Sequence, residues 1–222
     1  SVNIFENNKR LSEFCLLQIR PMLISVLSDR ATKQLYSKRE LVCRSSITLG
    51  DGKMNNIKDI LYINPDNFDP AETQNIAKEV GNFNLLMGKN FPYLLIGPGR
   101  WGSADPWLGI PVNWTQISNA KVIVEFELKG FEVDPSFGSH FFQNVTSLRI
   151  GYFTINKSNK SDFIDRKWLE KQPIKKEKKY LKWIQLKQPL TVQILGTSGE
   201  GIILKPLQPK KETMNEEEST GI

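Results

Sequence analysis

The stretch that most constrains this chain is FPYLLIGPGRWGSADPWLGIPV, residues 91–112, in which an apolar run breaks into a segment with four glycines and three prolines. Six consecutive apolar residues read as a continuous apolar strand. The glycines and prolines that follow end it as a strand and do not permit a helix. Glycines 97, 99 and 102 allow positive φ and close backbone approach, so successive N–H groups can point at an anion. Arg100 adds a two-pronged donor for phosphate or carboxylate, and Asp105 can hold that arginine or, with it, a magnesium ion. Neither GxxxxGK[ST] nor GxGxxG is present, so no standard nucleotide fingerprint applies. The competing reading is a structured loop in which Arg100 pairs with Asp105 and both tryptophans pack into the core. Composition leaves the two readings level.

The rest of the chain is richer in strand than in helix signals. EFCLLQIRP is a short apolar run stopped at Pro21, ELVCRSSITLGDG a strand entering a Gly-Asp-Gly turn, and IKDILYINP a strand ended by Pro65. NFDPAETQNIAKEVGNFNLLM carries the best helix start, with Asp69 as N-cap, Pro70 in the first turn and Glu72 three residues after the cap. Ile76, Val80, Phe83 and Met87 then share one face. AKVIVEFEL alternates, Val122, Val124, Phe126 and Leu128 on one side and Lys121, Glu125 and Glu127 on the other, which predicts a half-buried strand. DPSFGSHFFQNV suggests a turn and short helix, with Asp134 and Ser136 as capping residues. SLRIGYFTIN reads as a strand and SDFIDRKWLEKQP as a short helix stopped by Pro173. KKYLKWIQLKQ and LTVQILGTSGEGIILK read as separate strands, the second a hairpin about TSGEG. Together these predict an α+β (mixed α/β) fold with a mixed, largely antiparallel sheet and a few helices.

Hydrophobic content of 39% and charged content of 24% are ordinary for a globular protein. No apolar run approaches the roughly 18–20 residues of a membrane span, and SVNIFENNKR has no signal-peptide core, so no membrane association and a cytoplasmic location are expected. Cys15 and Cys43 lie in apolar-alternating runs, and without a CxxC or a second histidine they read as buried thiols; no metal site is expected. The net charge of +6 is local: residues 157–211 carry net +9, the tail 212–222 carries four glutamates, and residues 1–156 are left with +1. The basic segment DRKWLEKQPIKKEKKYLKWIQLK interleaves lysine with Trp168, Tyr180 and Trp183, a nucleic-acid pattern. The commoner case is a solvated lysine-rich loop whose aromatics face the core, and nucleic acid is therefore not the expected partner.

LLIGPGRWGSADPWLGIPVNWTQISNAKVIVE, followed by DPSFGSHFFQNVTSLRIGYFTIN, resembles the C-terminal region of the phosphoenolpyruvate synthase/pyruvate phosphate dikinase group, in a divergent bacterial branch, over about residues 11–205. EFCLLQIRP resembles the LQxRP strand that closes the ATP-grasp domain of that family. The resemblance implies that Gln18 and Arg20 lie at the edge of a site for ATP phosphates and metal. It further implies a chain divided as the end of an ATP-grasp-like domain (1–30) and a C-terminal α+β domain (31–208); the polar composition of 209–222, with little that could form a core, predicts a flexible tail.

The family's glycine-rich loop and nucleotide lysine, and its swivelling phosphohistidine motif, have no counterpart here. ATP and Mg2+ are thus expected for a longer parent, with the missing N-terminal ATP-grasp portion as partner, and no cofactor for the chain alone. His140 departs from the swivelling motif and reads as a structural residue. If the GPGRWGS and DPSFGSH turns converge, Arg100, Ser103, Asp105, His140 and Gln143 become candidates for holding a small anion or phosphorylated substrate. Two readings stand: part of a dikinase-like phosphotransferase, or a non-catalytic regulatory module that binds an anion or a protein.

Overall fold

A computed structural model describes residues 2–3, 13–14, 36–88, 91–103, 105, 107–128, 144–145 and 147–206. Cys15, Gln18, Arg20, Asp134, Ser136, His140, Gln143 and the tail from 209 lie outside the described residues. At the N-terminus, β1 (Val2–Asn3) pairs antiparallel with β2 (Glu13–Phe14), the first residues of the EFCLLQIRP run.

The body is α+β and is organised by one large sheet. Its strands are β3 (Leu41–Ser45), β4 (Ile47–Leu49), β5 (Gly52–Ile63), β6 (Tyr93–Pro98), β9 (Ala120–Phe126), β10 (Gly151–Ile155), β11 (Phe163–Ile164), β12 (Ile174–Glu177), β13 (Leu181–Leu195) and β14 (Glu200–Leu204). The pairing order is β11-β3-β14-β13-β5-β6-β9-β10-β4, with β12 added on β13. Most pairings are antiparallel, but β5, β6, β9 and β10 form a contiguous parallel block. Parallel neighbours require crossover connections, and α1 (Thr73–Met87) supplies the one between β5 and β6.

The two ends of this order meet. β3 pairs with β14, setting Ser45 opposite Gly201, while β4, one residue further along the chain, pairs with β10, setting Ile47 opposite Thr154. Residues 41–49 therefore serve both edges and close the sheet into a barrel. Ser45 Oγ sits at the seam: it donates to Thr154 O at 2.5 Å and accepts from Ile47 N–H at 3.0 Å. The Thr48 N–H and hydroxyl both donate to Gly199 O, at 2.8 and 2.9 Å. Closure removes strand edges that would otherwise expose unpaired backbone groups.

Alternation along each strand then divides the apolar residues into two cores. One lies inside the barrel and includes Leu94, Ile96, Val122, Val124, Phe126 and Phe153. Cys43 is in this interior as a free thiol, which burial pushes well above its ordinary range. The other core lies on the outer face, where Leu61, Leu95, Ile123 and Tyr152 are covered by Ile76, Ala77, Val80, Phe83 and Met87 of α1. The four helix positions expected to share a face are all in this core. Asp69 caps at the expected position, but over a 3-10 turn: its carboxylate accepts from Ala71 N–H over Pro70–Glu72, and the α-helix proper starts one turn later, at Thr73.

Three local expectations are corrected. The two strands expected around Pro189 are one strand, β13, whose pairing with β5 shifts register between Gln185 and Leu190; the irregularity accommodates a residue with no N–H to give. The lysine-rich loop contains strand β12, exposed at all four positions because it is added at an edge. Strand β9 is not half-buried, for Ile123 and Glu125 on its outer face are as inaccessible as Val122 and Val124 on its inner one. Among the described residues, no helix is long and apolar enough to cross a membrane.

The seam gives a direct test. Ser45→Ala removes a buried donor from Thr154 O and should lower unfolding stability by about 1–3 kcal/mol. Denaturant titration followed by circular dichroism should show an earlier midpoint with an unchanged native spectrum; an unchanged midpoint would contradict closure through Ser45.

Candidate functional site

The GPGRWGS segment leaves the C-terminal end of β6 and folds back over the outer face of the barrel. Its shape comes from a small parallel clamp, β7 (Arg100–Trp101) against β8 (Gly109–Ile110). Gly99 and Gly102 have φ of 70° and 80°, the left-handed geometry that glycine permits at least cost. Gly97 meets a different need: a β-carbon there would lie 2.5 Å from Trp101 Cζ2, so only glycine leaves room for the indole.

The loop's amides decide whether it can cradle phosphate. Gly99 N–H donates to Phe126 O, Arg100 N–H to Leu108 O, and Gly102 N–H to Ile110 O. Leu108 and Gly109 N–H both donate to Asp105 O, and Trp107 N–H donates to the Asp105 carboxylate at 2.9 Å. Asp105 N–H and the Ser103 hydroxyl complete the turn, and Trp101 N–H is taken by Glu125. These amides stabilise the loop itself and do not point at a ligand. A backbone anion nest requires the reverse.

Of the described loop candidates, Asp105 and Ser103 organise the turn, and no Arg100–Asp105 ion pair exists among the described residues. Arg100 is partly exposed, and its charge acts on Glu125 and Tyr152. The tryptophans separate: Trp101 is 1% exposed and Trp107 68%. His140 and Gln143 are outside the described residues, so convergence of the two turns lies there too.

The residue that sequence reading did not single out is Glu125. It stands on the outer face of β9, opposite Gly97 of β6 on one side and Thr154 of β10 on the other, and is fully buried. Glu125 Oε1 accepts from Trp101 N–H at 2.7 Å, while the indole N–H reaches toward Val124 O at 3.4 Å. The Tyr152 phenol interacts with both the Glu125 carboxyl and the Thr154 hydroxyl. Tyr152 lies on the same face of β10, near both.

Burial pushes the Glu125 carboxyl up to about 8, against the opposing pull of the Tyr152 phenol, the Trp101 N–H and the Arg100 charge. Burial, and after it the Glu125 charge, push the Tyr152 phenol above its ordinary range. A carboxyl, a phenol and a hydroxyl are thus sealed together at the C-terminal ends of the parallel strands, where α/β sheets commonly place ligand sites.

A second buried carboxylate, Asp59 on β5, is matched, for its Oδ1 accepts from Trp183 Nε1 at 2.7 Å and Gln185 Nε2 at 3.0 Å. The basic segment's Tyr180 and Trp183 are buried in the outer core. Lys175 lies 4.2 Å from the Trp183 ring centroid and Lys179 4.5 Å from that of Tyr180, so the protein's own ammonium groups cover these rings. Among the described residues, no group of three or more His, Cys, Asp or Glu side chains is placed to hold a metal ion.

The fold and site define a closed mixed-sheet barrel with a sealed acidic centre under a glycine-rich turn. Comparison with protein-family models, with curated proteins and with solved structures finds no match to this chain.

The carboxyl makes a signed prediction. Its folded value lies above the ordinary 4.5, so between those limits the native state keeps a proton that the unfolded chain has released. Its contribution is full below the unfolded value, falls as pH rises toward about 8, and is flat beyond. Glu125→Gln keeps an acceptor for Trp101 N–H and cannot ionise. Denaturant midpoints between about pH 5 and pH 9 should fall for the wild type by the equivalent of a few kcal/mol relative to this variant. Parallel curves for the two proteins would refute the assignment.

Proposed function

We propose that the described barrel is a non-catalytic, anion-binding module of an ATP-dependent phosphotransferase resembling phosphoenolpyruvate synthase and pyruvate phosphate dikinase. The parent reaction rests on the shared order of LQIRP, GPGRWGSADP and GSHFFQN. In that reading ATP and Mg2+ bind in an N-terminal ATP-grasp portion, with Gln18 and Arg20 at the edge of the phosphate site, and the protein works in the cytoplasm.

The observation that carries the module reading is the closure of the GPGRWGS turn. Its backbone donors are engaged within the fold and its acidic neighbour is sealed. Such a turn supports recognition through the Arg100 side chain, where a nucleotide site would need open amides and a reachable metal ligand.

The test compares this chain with the same chain preceded by whatever its reading frame encodes upstream. Phosphoryl transfer from ATP to pyruvate, followed by phosphorus NMR, is expected only for the longer protein, and ATP with Mg2+ should leave the melting temperature of the shorter one unchanged. Turnover by the shorter chain, or an upstream frame without a glycine-rich loop and a lysine, would overturn the proposal.

A further inference from the structure

Strand β12 stands off the main path of the large sheet: it pairs with β13, and its other edge meets no described strand. All four of its positions are exposed, as are Lys171 before it and Lys178 after it. The ion pairs among the described residues are Lys182–Glu177 at 3.5 Å and Lys205–Asp165 at 2.7 Å. Glu177 is thereby taken, and Lys171, Lys175, Lys176 and Lys178 meet no described carboxylate at ion-pair distance.

Lysines on an open edge keep it from pairing with other chains. Four of them within the eight residues 171–178 also repel one another. Lys175 is held over the Trp183 ring, 4.2 Å from its centroid, so the charge stays concentrated along the strand. A surface of this kind fits a strip of carboxylates better than a single ion.

The chain carries such a strip. Glu212, Glu216, Glu217 and Glu218 follow a stretch, residues 157–211, of net charge +9. The approach to them is fixed near Pro206, the last described residue. Lys205 N–H donates to Glu40 O, and the Lys205 ammonium donates to Asp165 at 2.7 Å and lies 5.6 Å from the Trp168 ring centroid. Asp165 caps the short helix Arg166–Glu170, which leads through Pro173 into β12. That helix is about 7 Å long, whereas the six residues from Pro206 to Glu212 reach up to about 20 Å. The glutamates are within reach of the lysines.

We propose that residues 212–218 of this chain dock along the lysine edge of β12 and shield it from other anions and from strand pairing with other chains. This goes beyond the module reading and does not depend on it. Each exposed lysine–glutamate pair is weak, but the tether holds the segment at a local concentration on the order of millimolar, so the pairs act together. Lys210 and Lys211 precede the glutamates and carry the opposite sign, so docking begins at residue 212. Salt at about 1 M screens charges beyond about 3 Å, and the contact therefore belongs to low and moderate ionic strength.

The test reads the backbone amide resonances of Lys175, Lys176 and Lys178 by NMR in the full chain and in a variant carrying Glu216→Gln, Glu217→Gln and Glu218→Gln. At about 20 mM salt these resonances should differ between the two proteins, and at about 1 M the difference should vanish. Reciprocally, Lys176→Gln with Lys178→Gln, both at exposed positions, should move the amide resonances of residues 216–218. A free hexaglutamate peptide should bind the β12 lysines of the glutamine variant about tenfold more tightly than those of the unsubstituted chain, where the tethered segment competes.

Identical β12 resonances in the two proteins at low salt would overturn the docking, as would equal peptide affinity or shifts confined to lysines elsewhere. A single-stranded DNA oligonucleotide that moves the β12 amides equally in both proteins would also overturn it and mark the edge as a nucleic-acid surface. Failure of the module reading shows separately, as ATP turnover by the chain alone.

Discussion

Four parallel strands side by side must be covered on both faces, and that constraint governs the rest of this structure. Inside, the cover is the barrel's own far wall, which exists because residues 41–49 serve both ends of the pairing order. Outside, α1 covers one part with Ile76, Val80, Phe83 and Met87, and Trp101 covers another. Trp101 can do so only because Gly97 beneath it has no side chain. The glycine-rich turn is thus first a lid on a sheet, and its glycines are where they are because a tryptophan must seat flush against a strand.

Covering the sheet has a consequence for whatever polar side chain faces outward there. On β9 that residue is Glu125, and the same indole-bearing turn that excludes water from it supplies its hydrogen bond through Trp101 N–H. Burial and the single backbone donor act in opposite directions on the carboxyl, and burial prevails. Fold and site chemistry are coupled at one backbone N–H, so displacing the turn alters both together.

Much of the architecture was legible in the residues. The apolar run FPYLLI announced a strand, which starts at Tyr93 and continues through Gly97 and Pro98 with all six positions buried, while Phe91 stays outside it and exposed. Asp69-Pro70 announced the start of α1 within one turn, since carboxylate capping and fixed proline φ are local effects. What failed were features that depend on distant covering. Glu125 sits in an alternation that predicts solvent, and nothing within AKVIVEFEL reveals that a turn anchored some 25 residues earlier lies over it. Barrel closure was equally hidden, because ELVCRSSITL reads as one strand and gives no sign that its halves pair with opposite edges. KKYLKWIQLKQ and LTVQIL read as two strands, where the one long β13 absorbs Pro189 between them at a register shift. The candidate loop was legible as a break in strand and helix patterning, but its amide inventory needed coordinates, for a glycine-rich sequence fits an open nest and a closed lid alike.

The account turns on Glu125 being sealed beneath Trp101, and carbon-detected NMR of the side-chain carboxyl tests this most directly. A titration midpoint near 8, with the Trp101 amide resonance moving at the same pH, is the predicted result. A midpoint near the ordinary 4.5, with a Trp101 amide insensitive to it, would mean that the carboxyl is open to water and that the turn does not close over it.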